Sequence, residues 1–312
     1  MTLSAAPALQ LLDSRLEVSG GLKLSGELRV SGAKNSALVL MAACLLSRDT
    51  LRLRNVPPLT DITAMGEILA ALGVRVTRQG DCIDLDGEHI TQAAPPYELV
   101  NSLRASFFCI GPLLARMGTA QVPLPGGCQI GSRPVVEHVK GLKALGAQVT
   151  IEHGVVTASV PGRSKRLTGG HIHLDCPSVG ATETLMMAAA LADGETVIDN
   201  AALEPEVIDL ARLLNAMGAR VQGAGTPTIT IDGVPTMHGA DYAVIPDRIE
   251  AGTFLLAAAI TRSTLTVGPV IPEHLGAVLT KLEEAGCRLV QEGPNLRISA
   301  EAIQALDLRT MP

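Results

Sequence analysis

"AALGVRVTRQGDCIDLDG", residues 70–87, ends an amphipathic run on a glycine and follows it with two short alternating runs around a polar turn. A glycine directly after a periodic apolar stretch is the residue that closes a helix in the left-handed conformation. Alternating runs on either side of a polar turn read as a β-hairpin. The same grammar recurs in "KALGAQV" (143–149), "NAMGARV" (215–221) and "EEAGCRL" (283–289). The glycines, Gly73, Gly146, Gly218 and Gly286, are 73, 72 and 68 residues apart. Each leads into a hairpin pattern, at 74–87, 147–160, 219–233 and 287–299.

Upstream of each glycine lies a second, more apolar helical run: "NSALVLMAACLLS" (35–47), "LRASFFCIGPLLAR" (103–116), "GATETLMMAAALAD" (180–193) and "EAGTFLLAAAITR" (250–262). The repeating unit therefore reads as strand, apolar helix, strand, amphipathic helix, hairpin, a βαβαββ order. A period near seventy residues is longer than that of solenoid repeats. The units are expected to be small α/β subdomains grouped around shared helices.

Composition supports a large core built from small side chains. Hydrophobic residues make up 47% of the 312 residues, yet aromatics are 2% and Trp is absent. A net charge of −6 gives no general attraction to nucleic acid or anionic membrane. The N-terminal stretch lacks the basic region and long apolar run of a signal peptide, and no segment approaches eighteen uninterrupted apolar residues. The expectation is a soluble cytoplasmic protein. Six cysteines (Cys44, Cys82, Cys109, Cys128, Cys176, Cys287) form no C-x-x-C pair, so reduced thiols are expected rather than disulfides or structural zinc. His171, His173 and Asp175 in "HIHLD" share a strand face, for which a half-exposed surface is preferred over a metal site.

Five spaced stretches carry a resemblance: "SGAKNSAL" (31–38), "LRAS" (103–106), "PGGCQIGSRPV" (125–135), "SVGATE" (178–183) and "PDRIEAGTF" (246–254). In this order they resemble the UDP-N-acetylglucosamine 1-carboxyvinyltransferases, bacterial enolpyruvyl transferases that open peptidoglycan synthesis, from about residue 16 to the last residue. The resemblance implies an α/β fold of the inside-out α/β barrel type, with two domains of three units each and the active site between them. Residues 34–245 would be a complete three-unit domain. Residues 1–33 plus 246–312 would be a partial second domain, with its remaining units missing after 312.

The implied reaction moves the enolpyruvyl group of phosphoenolpyruvate to the 3′-hydroxyl of UDP-N-acetylglucosamine and releases phosphate. It needs several cations and an acid for the methylene carbon, with no metal and no cofactor. The resemblance makes Cys128 that general acid, able also to form a covalent phosphoenolpyruvate adduct; a thiol holds its proton at neutral pH, and Arg133 nearby would make it more reactive. Lys34, Asn35 and Arg133 are expected on phosphoenolpyruvate. Asn35, Arg104, Arg133, Pro134, Val135, Val136, Glu137, Ser178, Val179 and Gly180 are expected on the nucleotide sugar. Ser178 to Gly180 begin a helix, whose backbone N–H groups suit the diphosphate. Cys176 and Pro177 stand where relatives can have a lysine-valine pair.

Other residues near these motifs have plainer readings. His138 is either a second acid–base group or a structural hydrogen-bonding residue. Glu204 and Glu206 precede a helix, where capping and dipole effects explain them. Asp247 and Arg248 are expected at the hinge or the interdomain surface. The family's general-base aspartate has no counterpart in 1–312, from which a chain inactive on its own is expected. The rivals are the shikimate-pathway enolpyruvyl transferase, which lacks the Gly-Gly-Cys loop, and a non-catalytic nucleotide-sugar-binding fragment.

Overall fold

The computed structural model describes residues 17, 20–124 and 135–308, without the side chains of Asn101 and Ser102. The first unit comprises α1 (Lys34–Ala43), β2 (Thr50–Arg54), α2 (Thr60–Leu72) and the hairpin β3 (Arg75–Gln79) and β4 (Cys82–Asp86). The second contains α3 (Tyr97–Ser102), a 3₁₀ turn (Arg104–Cys109), α4 (Ile110–Met117), β5 (Thr119–Pro123), α5 (Val136–Ala144), and the hairpin β6 (Gln148–Glu152) and β7 (Val155–Ser159). The third runs through β8 (His171–His173), α6 (Val179–Ala189), β9 (Glu195–Asp199), α7 (Pro205–Ala216), β10 (Arg220–Gln222) and β11 (Thr228–Asp232). The fourth has β12 (Asp241–Ala243), α8 (Arg248–Ile260), β13 (Thr264–Gly268), α9 (Gly276–Glu284), β14 (Arg288–Glu292) and β15 (Asn295–Ser299).

The four marker glycines do what the repeat requires. Gly73, Gly146, Gly218 and Gly286 have φ of 105°, 86°, 95° and 91°, a conformation that L side chains rarely adopt. Each hairpin that follows is antiparallel.

The order of strands departs from the simple repeat in two ways. Each unit's leading strand should lie parallel to its second strand, as β8 does beside β9. In the first and fourth units these leading strands are exchanged. β12 pairs in parallel with β2 (Asp241 with Arg52), whereas β1 (Ser25–Arg29) pairs in parallel with β13 (Ser25 with Thr264). The second unit has no leading strand, and its sheet has three strands in the order β5-β7-β6. The reason lies in Pro95 and Pro96, which have no N–H to offer a ladder. A single bond from Gln121 N–H to the Ala93 carbonyl remains.

Helices lie inside and sheets outside, the inside-out α/β arrangement. Residues 36–43 of α1 and 181–189 of α6 are all buried, so these helices are enclosed on every face, with Ser36, Thr182, Glu183 and Thr184 as the polar residues among them. The strands alternate instead, β2 as exposed-buried-exposed-buried-exposed, with Arg52–Asp84, Arg54–Asp241 and Arg75–Asp86 pairs on the solvent face. One buried cluster is drawn from residues 33–245. A separate one includes Val30, Ala251, Leu255, Val267, Leu282 and Ile298. α8 differs from its counterparts, because Ile249, Leu256 and Ile260 face outward.

Small residues set how closely the inner helices approach. A Cβ on Gly111 of α4 would stand 2.4 Å from the Thr184 carbonyl oxygen of α6, a backbone atom that cannot swing aside. On the outer helix α2, a Cβ on Gly66 would meet nothing nearer than Val76 Cγ1 at 3.6 Å. Gly111→Ala is therefore expected to cost about 1–3 kcal/mol, and Gly66→Ala to add about 0.5–1 kcal/mol by removing unfolded-state freedom. Urea unfolding of the two variants measures both signs.

Candidate active site

The first turns of α1, α2, α5, α6, α7 and α8 all open onto one cleft of about 880 Å³. Each helix start carries unpaired N–H groups and the positive end of the helix dipole, so their meeting point favours anions. The 3₁₀ turn adds Arg104, Phe107 and Phe108 to the wall.

The cations of this cleft are matched by carboxylates. Lys34 Nζ lies 2.9 Å from Asp61 Oδ2 at the start of α2. The Lys34 backbone N–H is not free for a ligand, because it donates to Asp247 Oδ2 at 3.2 Å. Asp247 is also the N-cap of α8 and accepts from the N–H groups of Ile249 and Glu250 at 2.7 and 3.0 Å. Arg248 makes a two-pronged pair with Glu206, Nε to Oε1 at 3.2 Å and Nη2 to Oε2 at 3.3 Å. Glu204 stands at the N-cap of α7 but makes no side-chain capping bond. The side-chain capping expected of these acids is absent, but Glu206 does lie in the first turn of α7, where the helix dipole favours an acid, and it is also buried and paired with an arginine forty-two residues on.

On the opposite wall Ser178 caps α6, accepting from the Ala181 N–H at 3.3 Å. Val179 and Gly180 follow as its first helical residues. His138 of α5 packs edge-on against Phe107 and lies beside Gly180. Burial, with the Arg104 charge next, holds its pKa down to about 4. It is therefore neutral at pH 7, where it carries no extra proton to donate. Its Nδ1 has no partner among the described residues. Glu137 is buried, and its Oε2 accepts the Asp175 N–H at 3.0 Å, tying α5 to the loop before α6. Val136 is exposed, and Cys176 is an exposed thiol at the cleft's edge.

Of the residues expected from sequence, Lys34, Asn35, Arg104, Val135, Val136, Glu137, Ser178, Val179 and Gly180 all line this one cleft. Cys128, Arg133 and Pro134 lie outside the described residues. Two charged lining residues, Asp61 and Glu183, escaped the sequence reading. Asp61 looks like any acid in a first helical turn. Glu183 gave a signal, a carboxyl within an otherwise apolar helix. His171 of the "HIHLD" strand pairs with Asp199 at 2.5 Å on the exposed sheet face, and no group of three ligand-type side chains suited to a metal occurs among the described residues.

Glu183 is fully buried, with Oε1 unpartnered among the described residues. Burial, then the charges of Glu206 and Glu204, push its pKa well above the usual carboxylate range.

An α/β barrel with its helices inside, whose helix starts meet over an anion-favouring cleft, is the architecture of the enolpyruvyl transferases. A family model described as EPSP synthase (3-phosphoshikimate 1-carboxyvinyltransferase) matches residues 18–312, and the chain belongs to that family. The UDP-N-acetylglucosamine 1-carboxyvinyltransferase of Synechococcus sp. (strain CC9605) is 64% identical over 313 residues, which cover 100% of this chain and 72% of that protein. The one of Nostoc sp. (strain PCC 7120 / SAG 25.82 / UTEX 2576) is 59% identical over 96% of this chain and 67% of its own length. Among solved structures, the enolpyruvyl transferase NikO from Streptomyces tendae superposes with a TM-score of 0.79 at 26% identity, over 90% of this chain and 66% of that one. EPSP synthase from Acinetobacter baumannii shares the fold, with a TM-score of 0.69 at 20% identity over 94% of this chain and 68% of that one. No helix among the described residues is long and apolar enough to cross a membrane.

The Glu183 environment gives a pH-dependent stability. A carboxyl whose pKa is raised in the folded state favours folding when protonated, so that contribution fades as pH rises from the unfolded carboxylate range toward the folded value. Glu183→Gln should therefore melt several degrees higher than the parent at pH 7–8, and the gap should close as pH falls toward 4. Thermal melts across that range check both the sign and the trend.

Proposed function

We propose that the cleft carries out enolpyruvyl transfer from phosphoenolpyruvate to the 3′-hydroxyl of UDP-N-acetylglucosamine, the first committed step of peptidoglycan synthesis. The single observation that carries the reading is the meeting of the lysine, arginine and helix-start motifs in one cleft, in a chain 64% identical to a protein of that name. Both substrates are multiply charged anions, and a cleft rimmed by helix N-termini suits them. We read the site of action as cytoplasmic, which fits described helices that are none of them long and apolar enough to cross a membrane.

The chemistry is addition followed by elimination. The sugar hydroxyl gives its proton to a base as its oxygen bonds to C2 of phosphoenolpyruvate, and the C2–C3 π pair takes a proton from the acid at C3, giving a tetrahedral adduct. Loss of a C3 proton and departure of phosphate then restore the double bond. Cys128 is assigned as the acid for the first step. Lys34 and Arg133, with Asn35 beside them, hold phosphoenolpyruvate. Asn35, Arg104, the segment Arg133 to Glu137, and Ser178 to Gly180 hold the nucleotide sugar. We also read residues 34–245 as one domain and residues 1–33 with 246–312 as parts of a second, a division along the two separate hydrophobic clusters.

Two measurements test the assignment without requiring turnover. In calorimetric titration the chain should bind UDP-N-acetylglucosamine and not shikimate 3-phosphate; preference for the latter would move it to the sister reaction. An epoxide phosphonate such as fosfomycin should alkylate Cys128, faster when the nucleotide sugar is present. Mass spectrometry that finds the label on Cys176 or another thiol alone would remove Cys128 from the acid's role.

A further inference from the structure

Arg248 is the first residue of α8 and lines the cleft, yet its guanidinium is only half used. Nε and Nη2 face the two oxygens of Glu206 at 3.2 and 3.3 Å, while Nη1 makes no hydrogen bond among the described residues. The two partners differ in exposure, 31% for the Arg248 side chain and 5% for Glu206. Glu206 thus depends on Arg248 more than the reverse. Removing the arginine would strand a buried carboxylate beside Glu183 and Glu204, whose negative neighbourhood is already crowded. The pair therefore stays closed, and one edge of a planar five-donor fork is fixed while Nη1 keeps its donors unused in a residue that lines the cleft.

The position of that edge selects the ligand. Asp247, the residue before Arg248, accepts the Lys34 N–H, so the start of α8 lies against the start of α1. We propose that Arg248 binds an oxyanion of phosphoenolpyruvate, phosphate or carboxylate, and that Glu206 is the positioning residue that aims it. This rests on the functional reading above. It also gives the ligand a mechanical consequence. The Glu206–Arg248 pair is the one salt bridge among the described residues that joins α8 to the helices of residues 34–245. An anion gripped by both Lys34 and Arg248 would draw α1 and α8 together.

The test is calorimetric titration of the 312-residue chain with phosphoenolpyruvate, and separately with UDP-N-acetylglucosamine, for the parent, Arg248→Lys, Arg248→Gln and Glu206→Gln. Arg248→Gln should lose phosphoenolpyruvate affinity by about tenfold or more, the size of one charge-assisted contact. Arg248→Lys keeps the charge but not the fork and should recover only part of that loss. Glu206→Gln keeps the arginine but loosens its aim and should lose an intermediate amount. UDP-N-acetylglucosamine affinity should stay within about twofold throughout, a split that a merely structural pair would not produce. Thermal melts confirm which variants are folded, and Arg248→Lys serves if Arg248→Gln is not. Unchanged phosphoenolpyruvate affinity in a folded Arg248 variant overturns the proposal, as does an equal loss for both ligands. A parent that binds the nucleotide sugar but not phosphoenolpyruvate defeats this proposal alone, whereas a parent that binds neither defeats the functional reading too.

Discussion

Everything functional in this fold depends on six helices beginning at the same place. In each unit the chain returns from an outer strand into an inner or flanking helix, and the repeat makes those turns face one another. Because a helix start cannot satisfy its first N–H groups internally, the cleft is polar and positive before any side chain is considered. Loop residues at these turns then supply the specific contacts. Lys34, Val136, Val179, Pro205 and Arg248 are each the first residue of a helix. The site is thus a property of the repeat, refined locally in each copy.

Holding the starts in register requires the two crossing segments to be anchored. Residues 31–33 and 245–247 run against each other, with Ala33 N–H donating to the Ile245 carbonyl and Asp247 N–H to that of Ser31. Beneath them lies Asp209 of α7, fully buried. It accepts from Tyr242 O–H at 2.5 Å, from Ser36 O–H and from Ile245 N–H at 3.5 Å. Burial raises its pKa while those donors pull the other way. One carboxyl therefore ties α7 to the first turn of α1 and to the segment leaving β12. Without it, Lys34 and Asp247 would lose the common floor that keeps their backbones within bonding distance.

What was legible in the sequence follows from how local each signal is. Helix-closing glycines and hairpins are set within a dozen residues, and all four copies fold as their pattern says. The exchange of β1 and β12 is not local. Parallel pairing between Asp241 and Arg52 leaves no trace near either residue, because any short β-branched run could occupy that edge. The missing strand of the second unit was readable after the fact from Pro95 and Pro96. In the cleft, the anion-binding types were visible through motif and turn together. Their carboxylate partners were not, since Asp61 and Glu206 acquire meaning only through contacts made across the fold.

Those partners explain how a cleft built for anions stays folded when empty. Lys34 faces Asp61 and Arg248 faces Glu206, so part of the positive potential is answered internally. The two pairs are not equivalent. Lys34 and Asp61 are each about 40% exposed, so water can replace either partner at little cost when a ligand competes. Glu206 is buried beside Glu183, where water cannot serve, so that pair resists separation. Glu183, its proton held by burial and by those neighbouring charges, keeps a third negative charge out of the same corner. Of these two cations, Lys34 can change partners and Arg248 is held in place. That asymmetry follows from burial alone, since the Lys34 pair meets water and the Glu206 side of the Arg248 pair does not.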